Sequence, residues 1–329
     1  MSRFASFALI ASLLLCCVLP ASGQQPGEQV LLLEELPQLP DVGISVPEND
    51  FLVALKWYSR GDYEAAWRTL EPLAQEGDAR SQWLLGTLYQ HGLGLAPSAQ
   101  DAAIWYERAA QQGVAEAQEA LAFLYATGSG LSRNIPRAFE WYEKAARQGN
   151  PQAQFALAFL LAATLENDDV SEEVHSWYRQ AAEQGHLLAQ YNLATLYINE
   201  PQWRNETEAA RWYESAARQG YCRAQYNLAL LYSQGLGIER SEERALYWYE
   251  RAAQQGEPAA MNNLGAIYAN GFYGVEKDLV KAYVYFHRAA AAAHERARIN
   301  RNALLEQLES EALLDAQRIL QQHDHVSCR

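Results

Sequence analysis

The feature that most constrains this chain is a period. A glycine preceded by Gln or Glu returns at Gly77, Gly113, Gly149, Gly185, Gly220 and Gly256, at spacings of 36, 36, 36, 35 and 36, and Ala293 follows 37 residues later. From Gly113 onward an aromatic pair lies before each: Trp105-Tyr106, Trp141-Tyr142, Trp177-Tyr178, Trp212-Tyr213, Trp248-Tyr249 and then Tyr285-Phe286. Two alanines follow the pair, as in Ala109-Ala110, Ala145-Ala146 and Ala252-Ala253. A frame repeated this often describes one small unit used many times, not a single closed core.

Inside a unit the spacing is helical. In residues 221–256, Ala224, Leu228, Leu231 and Tyr232 share one face of a first helix, and Gly235-Leu236-Gly237 interrupts it. Ala245, Trp248, Tyr249, Ala252 and Ala253 mark a second helix, which Gly256 ends in the left-handed conformation that glycine adopts cheaply. A lone helix pair cannot bury its apolar side, so successive pairs must stack. The expected fold is all-α, an α-solenoid of stacked antiparallel helix pairs. Both residues of each Trp-Tyr pair are expected in its core. Composition agrees: 49% of the residues are apolar and 20% charged, with 11 prolines in 329. The excess of 40 Asp and Glu over 26 Lys and Arg, a net charge of −14, repels phosphate backbones and argues against nucleic acid as a partner.

The pattern A-x-x-x-L-A/G-x-x-Y-x-x-G-x-G followed by A-x-x-W-Y-x-x-A-A-x-Q-G resembles the Sel-one-like repeat family, relatives of the tetratricopeptide repeats. On that resemblance residues 78–293 divide into six repeats, 78–113, 114–149, 150–185, 186–220, 221–256 and 257–293. A degenerate opening pair occupies 51–77, and capping helices with a tail occupy 294–329, where ALLEQLESEALLDAQRIL supplies a final helix. Two loops depart from the family pattern. Thr164 and Glu166 replace the two glycines in the third repeat, Glu200 and Gln202 in the fourth, so a different loop shape is expected at both.

Ahead of the repeats, Arg3 precedes an apolar stretch from Phe4 to Leu19, Pro20 breaks it, and Ala21-Ser22-Gly23 follows. That order is a secretory signal, with cleavage expected after Gly23 and no membrane span left in the mature protein. Periplasmic or secreted localisation follows. Residues 24–50, carrying Pro26, Pro37, Pro40 and Pro47, read as an extended lead-in. Their run Val30-Leu31-Leu32-Leu33-Glu34-Glu35-Leu36 is apolar enough to dock a partner, although a linker whose leucines pack on the first helices is the favoured reading. Beyond the signal two cysteines remain, Cys222 and Cys328, either paired or free.

No motif nominates a catalytic residue, a cofactor site or a metal site. The seven histidines share no repeat slot, and His323-x-His325 with Cys328 reads as a frayed tail rather than a ligand set. The sequon Asn205-Glu206-Thr207 reads as a helix start unless the host glycosylates it, and Arg296, Arg298 and Arg301 read as a charged cap face.

Aligning the repeats exposes one polar ladder. Asn192, Asn227, Asn263 and Asn300 hold one slot, where earlier units have Leu84, Ala120 and Ala156. The slot lies about 100° around the helix from a buried Leu, at the border of the inner face. In tetratricopeptide repeats such an Asn binds a peptide backbone. The resemblance therefore implies an extended partner segment along the ladder, flanked by Tyr191 and Tyr226. Bonding between neighbouring helices is the competing reading. The function expected is a non-catalytic scaffold for other envelope or secreted proteins, in assemblies such as exopolysaccharide export by family resemblance. The alternative is a glycan-binding protein stacking sugars on exposed Trp83 and Trp203. A hydrolase hidden in the groove is the least favoured.

Overall fold

A computed structural model describes residues 48–164 and 171–322. Among them are sixteen α-helices and no strand. The protein divides after Gln184 into two compact units.

The first unit holds α1 (Glu48–Ser59), α2 (Tyr63–Glu76), α3 (Ala79–His91), α4 (Ala99–Gln111), α5 (Ala115–Thr127), α6 (Ile135–Arg147), α7 (Pro151–Thr164) and α8 (Glu172–Glu183). Each helix packs against the next in sequence. The second unit holds α9 (Leu187–Asn199), α10 (Glu206–Arg218), α11 (Cys222–Gln234), α12 (Glu242–Gln254), α13 (Pro258–Asn270), α14 (Leu279–Ala291), α15 (Glu295–Leu305) and α16 (Ser310–Gln322). Its helices also stack in order until the end, where α15 and α16 both lie against α14. The fold class is the all-α solenoid read from the period.

Local chemistry explains the boundaries. Second helices of the pairs start on polar caps: the side chains of Ser98, Asn134, Ser171, Asn205, Ser241 and Asp278 each accept a hydrogen bond from the backbone N–H three residues on. Asn205 thus performs the helix-start role of its sequon. First helices stop at left-handed glycines, Gly92, Gly128, Gly235 and Gly271. The second glycine of the loop serves another purpose. A Cβ on Gly237 would overlap the backbone of Glu206 and Thr207, and one on Gly130 would overlap Ala99. These glycines let the loop lie directly on the start of the preceding pair's second helix.

Every pair contributes the same buried set. Leu85, Leu121 and Leu157 are fully buried in the first unit, Leu193, Leu228 and Leu264 in the second. Each second helix turns its Tyr inward, Tyr106, Tyr142 and Tyr178 or Tyr213 and Tyr249, with alanines above and below that let the helices close up. Where the ring comes closest, the facing residue is a glycine: a Cβ on Gly86 would meet Tyr106, and one on Gly265 would meet Phe286.

Four expectations need correction. The helical part begins at Glu48, three residues inside the segment read as an extended lead-in. The closing segment is broken at residues 306–309 into α15 and α16 rather than forming one final helix. The Trp of each Trp-Tyr pair is not uniformly core: Trp105, Trp141, Trp177 and Trp248 are half-buried, while Trp212 is 7% exposed. Adjacent residues on a helix point about 100° apart, so where the Tyr faces the centre of the stack the Trp stands at its border, and Trp212 alone is covered there. Cations lie over several of these rings, with Arg108 4.5 Å above Trp105 and the Lys144 ammonium 3.9 Å from Trp141. Fourth, Trp83 and Trp203 are not exposed. Trp83 packs against two core clusters, and the indole nitrogen of Trp203 is buried.

The fourth repeat's loop does differ in shape. Glu200 is extended where other repeats have a left-handed glycine, and a turn closed by Trp203 N–H to Glu200 C=O (3.0 Å) precedes the Asn205 cap. The third repeat's loop, the signal segment, the lead-in up to residue 47, and the tail with His323, His325 and Cys328 lie outside the described residues. Cys222 is buried and disulfide-bonded, and its partner lies outside the described residues.

Candidate functional site

The ladder occupies the first helices of the second unit. Tyr191 and Asn192 stand on α9, Tyr226 and Asn227 on α11, Asn263 on α13 and Asn300 on α15, all half-buried. Several of them border buried tyrosine hydroxyls. The Tyr213 hydroxyl lies 3.0 Å from Thr195 Oγ1, and the Asn227 amide, one repeat further along, lies beside it. Burial pushes its pKa up to about 12, against the opposing pull of those two neighbours. Tyr249 repeats the arrangement, with Asn263 and Ser233 beside its hydroxyl and its pKa pushed up to about 12 by burial. Asn263 also neighbours the Tyr226 hydroxyl, whose pKa burial raises.

The C-terminal end of the row is an amide cluster. Asn300 Nδ2 donates to Asn262 Oδ1 at 2.9 Å, and Asn262 Nδ2 approaches Asn263 Oδ1 at 3.4 Å. Aromatic contacts fix the flanking rings. Tyr191 lies between Tyr213 (5.7 Å between centroids) and Tyr221 (5.0 Å, edge-on), and Tyr226 lies 6.0 Å from Tyr249.

A buried Tyr hydroxyl needs a partner. Tyr213 finds one in Thr195, as Tyr106 does in Thr87 at 3.3 Å in the first unit, where Leu84, Ala120 and Ala156 fill the Asn slot. The amides of Asn227 and Asn263 each offer two donors and an acceptor with two lone pairs, and at half-burial they stay within reach of a backbone carbonyl or N–H arriving from solvent.

A second ladder escaped the sequence reading. Gln82, Gln118, Gln154 and Gln225 each donate to a carbonyl at the end of the preceding pair: Ala74, Ala110, Ala146 and Ala217, at 2.9–3.2 Å. Gln112, Gln148, Gln184, Gln219 and Gln255 then donate to the oxygens of Gln82, Gln118, Gln154, Gln190 and Gln225, at 2.7–2.8 Å. Amide thus hands on to amide within each unit, tying each second helix to its own first helix and that helix to the pair before. The signal was present in the sequence, because Gln82, Gln118, Gln154, Gln190 and Gln225 keep the spacing of the glycines.

The first unit carries an acid in the slot that Tyr191 and Tyr226 hold in the second. Glu119 has its pKa pushed up to about 7, first by burial and then by the neighbouring Glu116. Glu116 Oε2 is itself buried without a hydrogen bond. Among the described residues no three metal-ligating side chains converge. Arg298 is engaged by Glu295 and Arg301 by Asn302, as a solvated cap face would be.

Stacked helix pairs that pin successive polar side chains at half-burial define a class of protein, the helical-repeat interaction scaffold. The Sel1 repeat profile matches residues 79–114, 115–150, 175–186, 187–221, 222–257 and 258–294. The chain belongs to the Sel1 repeat family, whose members are generally protein-interaction scaffolds and typically non-catalytic. In the third repeat only the second-helix end is matched, next to the loop that lacks the glycines. A Sel1 repeat protein from Oxalobacter formigenes is 35% identical, with a TM-score of 0.63 over 73% of this chain and 96% of its own. A protective antigen present in uropathogenic Escherichia coli strains, which displays an SLR fold, is 29% identical, with a TM-score of 0.57 over 82% and 68%. Among curated proteins none matches the chain.

Proposed function

We propose that this protein is a non-catalytic periplasmic or secreted scaffold that holds an extended segment of another envelope protein along its second unit. The observation that carries the reading is the Tyr–Asn row, in which Asn227 and Asn263 stand beside buried tyrosines and remain half-exposed. The leader at residues 1–23 supports the location, and a protective antigen among the relatives suits a protein outside the cytoplasm. No described helix is long and apolar enough to cross a membrane. Intact mass of the exported protein should correspond to a polypeptide beginning at Gln24. Retention of residues 1–23, or an acylated cysteine, would refute the location.

Replacing Asn227 and Asn263 together with Ala tests the site. Capture of envelope proteins should be lost while circular dichroism is retained. The melting temperature should stay nearly unchanged, because both amides are half-exposed. Undiminished capture by the folded variant moves the site elsewhere, and loss of folding assigns the row to the stack alone.

The glycan alternative now rests on a different residue. Tyr247 is exposed, edge-on to Trp248 at 5.0 Å and under Arg251, an arrangement suited to stacking on a sugar ring. Retention on insoluble peptidoglycan or polysaccharide that Tyr247→Ala abolishes would favour that reading over the scaffold.

A further inference from the structure

The helix that opens the array has a bare face. α1 turns Phe51, Ala54 and Leu55 into a core cluster with Leu70, Leu84 and Leu88, yet Leu52 and Val53 are 46% and 44% exposed. In the first unit α3, α5 and α7 each lie against the helix that closes the preceding pair. α1 has no such helix before it among the described residues. One turn beyond Leu52, Lys56 adds exposed positive charge to the same side, and Arg60, just past the helix end, adds a second cation whose guanidinium lies 5.8 Å over the Trp57 ring.

The sequence just upstream is complementary to that face. Val30-Leu31-Leu32-Leu33-Glu34-Glu35-Leu36 sets a run of leucines beside two carboxylates, as α1 sets Leu52 and Val53 beside two cations. Residues 37–47 connect the two. Eleven residues span up to about 35–40 Å, and a helix of 12 residues is about 18 Å long. The tether therefore reaches every point on the bare face.

We propose that residues 30–36 of the same molecule cover this face, their leucines against Leu52 and Val53, with Glu34 and Glu35 toward Lys56 and Arg60. The benefit is specific to a stack. An open first helix offers the surface that one more repeat would use, so a second molecule could extend the array head to tail, and repeat arrays need their ends capped to stay soluble. At the other end α15 and α16 close the array. The N-terminal segment is the matching closure, attached to the array it protects.

A zero-length carbodiimide cross-linker applied to the purified full-length protein tests this directly. The expected product joins Lys56 to Glu34 or Glu35 within one molecule, identified by peptide mass. Replacing Leu31, Leu32 and Leu33 with Ser should abolish that product and speed amide hydrogen exchange in α1 at least tenfold. These positions lie outside the folded repeats, so the variant keeps its fold, and unchanged helical circular dichroism checks this. Cross-links between two molecules would give the face to a second copy and overturn the proposal. Exchange of α1 unaltered by the substitutions would overturn it as well.

Discussion

His186 shows how one residue ties stability to pH. It caps the start of α9, its Nδ1 accepting the Ala189 N–H at 3.2 Å, and burial depresses its pKa to about 4. An unfolded histidine titrates near 6.5. As pH falls below 6.5 the unfolded state takes up a proton that the folded state refuses until about pH 4. The contribution is therefore complete above 6.5 and is lost through that window, amounting to ~3 kcal/mol. Protonation of Nδ1 would also remove the cap's acceptor. His186→Asn should flatten the dependence without losing the cap, because Asn150 already fills the equivalent slot and accepts from Ala153 at 2.8 Å. Melting temperatures of both proteins from pH 7.5 to 4.5 decide the matter, and parallel curves would exclude His186 as the source. Glu119 works in the opposite sense: its raised pKa makes the ionised form a burden above about pH 7 that protonation relieves as pH falls.

At the scale of the helix pair, the alternation of Leu, Ala and Tyr was legible in the sequence because a period of 3.6 inside a period of 36 leaves one consistent inner face. What the pattern hid were side chains whose role depends on the next repeat. Gln225 read as one more polar helical residue, yet it is wholly buried, donating to Ala217 at 3.1 Å and accepting from Gln255 at 2.7 Å. Asn227 read as a binding residue, and its place beside the buried Tyr213 hydroxyl became visible only once two neighbouring pairs were placed together. The loops show the same limit. Tyr273 adopts φ 59°, the conformation of Gly237 in the preceding repeat, and the following Gly274 is one residue more than that repeat has. Gln225→Ala should cost ~2–4 kcal/mol, through a cavity and a Gln255 amide left without its acceptor. Gln225→Met should cost about half as much, because the sixth repeat carries Met261 in that slot, buried and without the relay. Urea denaturation of both variants measures the difference, and equal losses would mean that hydrogen bonding, not volume, sets the value of the slot.

Across the whole molecule, a protein built from neighbour contacts should yield locally before it yields everywhere. Trp212 is the probe for this, because it alone among the five paired tryptophans is buried. Its indole N–H is also buried without a partner, so its contribution is mainly apolar contact, with Arg211 4.9 Å over the ring. Trp212→Ala should cost ~3–5 kcal/mol, whereas Trp212→Phe keeps most of the ring, removes the unpaired N–H and should stay within about 1–2 kcal/mol of the parent. In a stack whose pairs touch only their neighbours, that loss stays near its origin. Hydrogen exchange should quicken in α9 to α12 of the Ala variant while the amides of α3 to α6 keep their protection. A two-step thermal transition should accompany it, the lower step belonging to the second unit. Uniformly faster exchange along all the helices would show a single cooperative block, and an unchanged melting temperature would show that the ring at Trp212 is not part of the core.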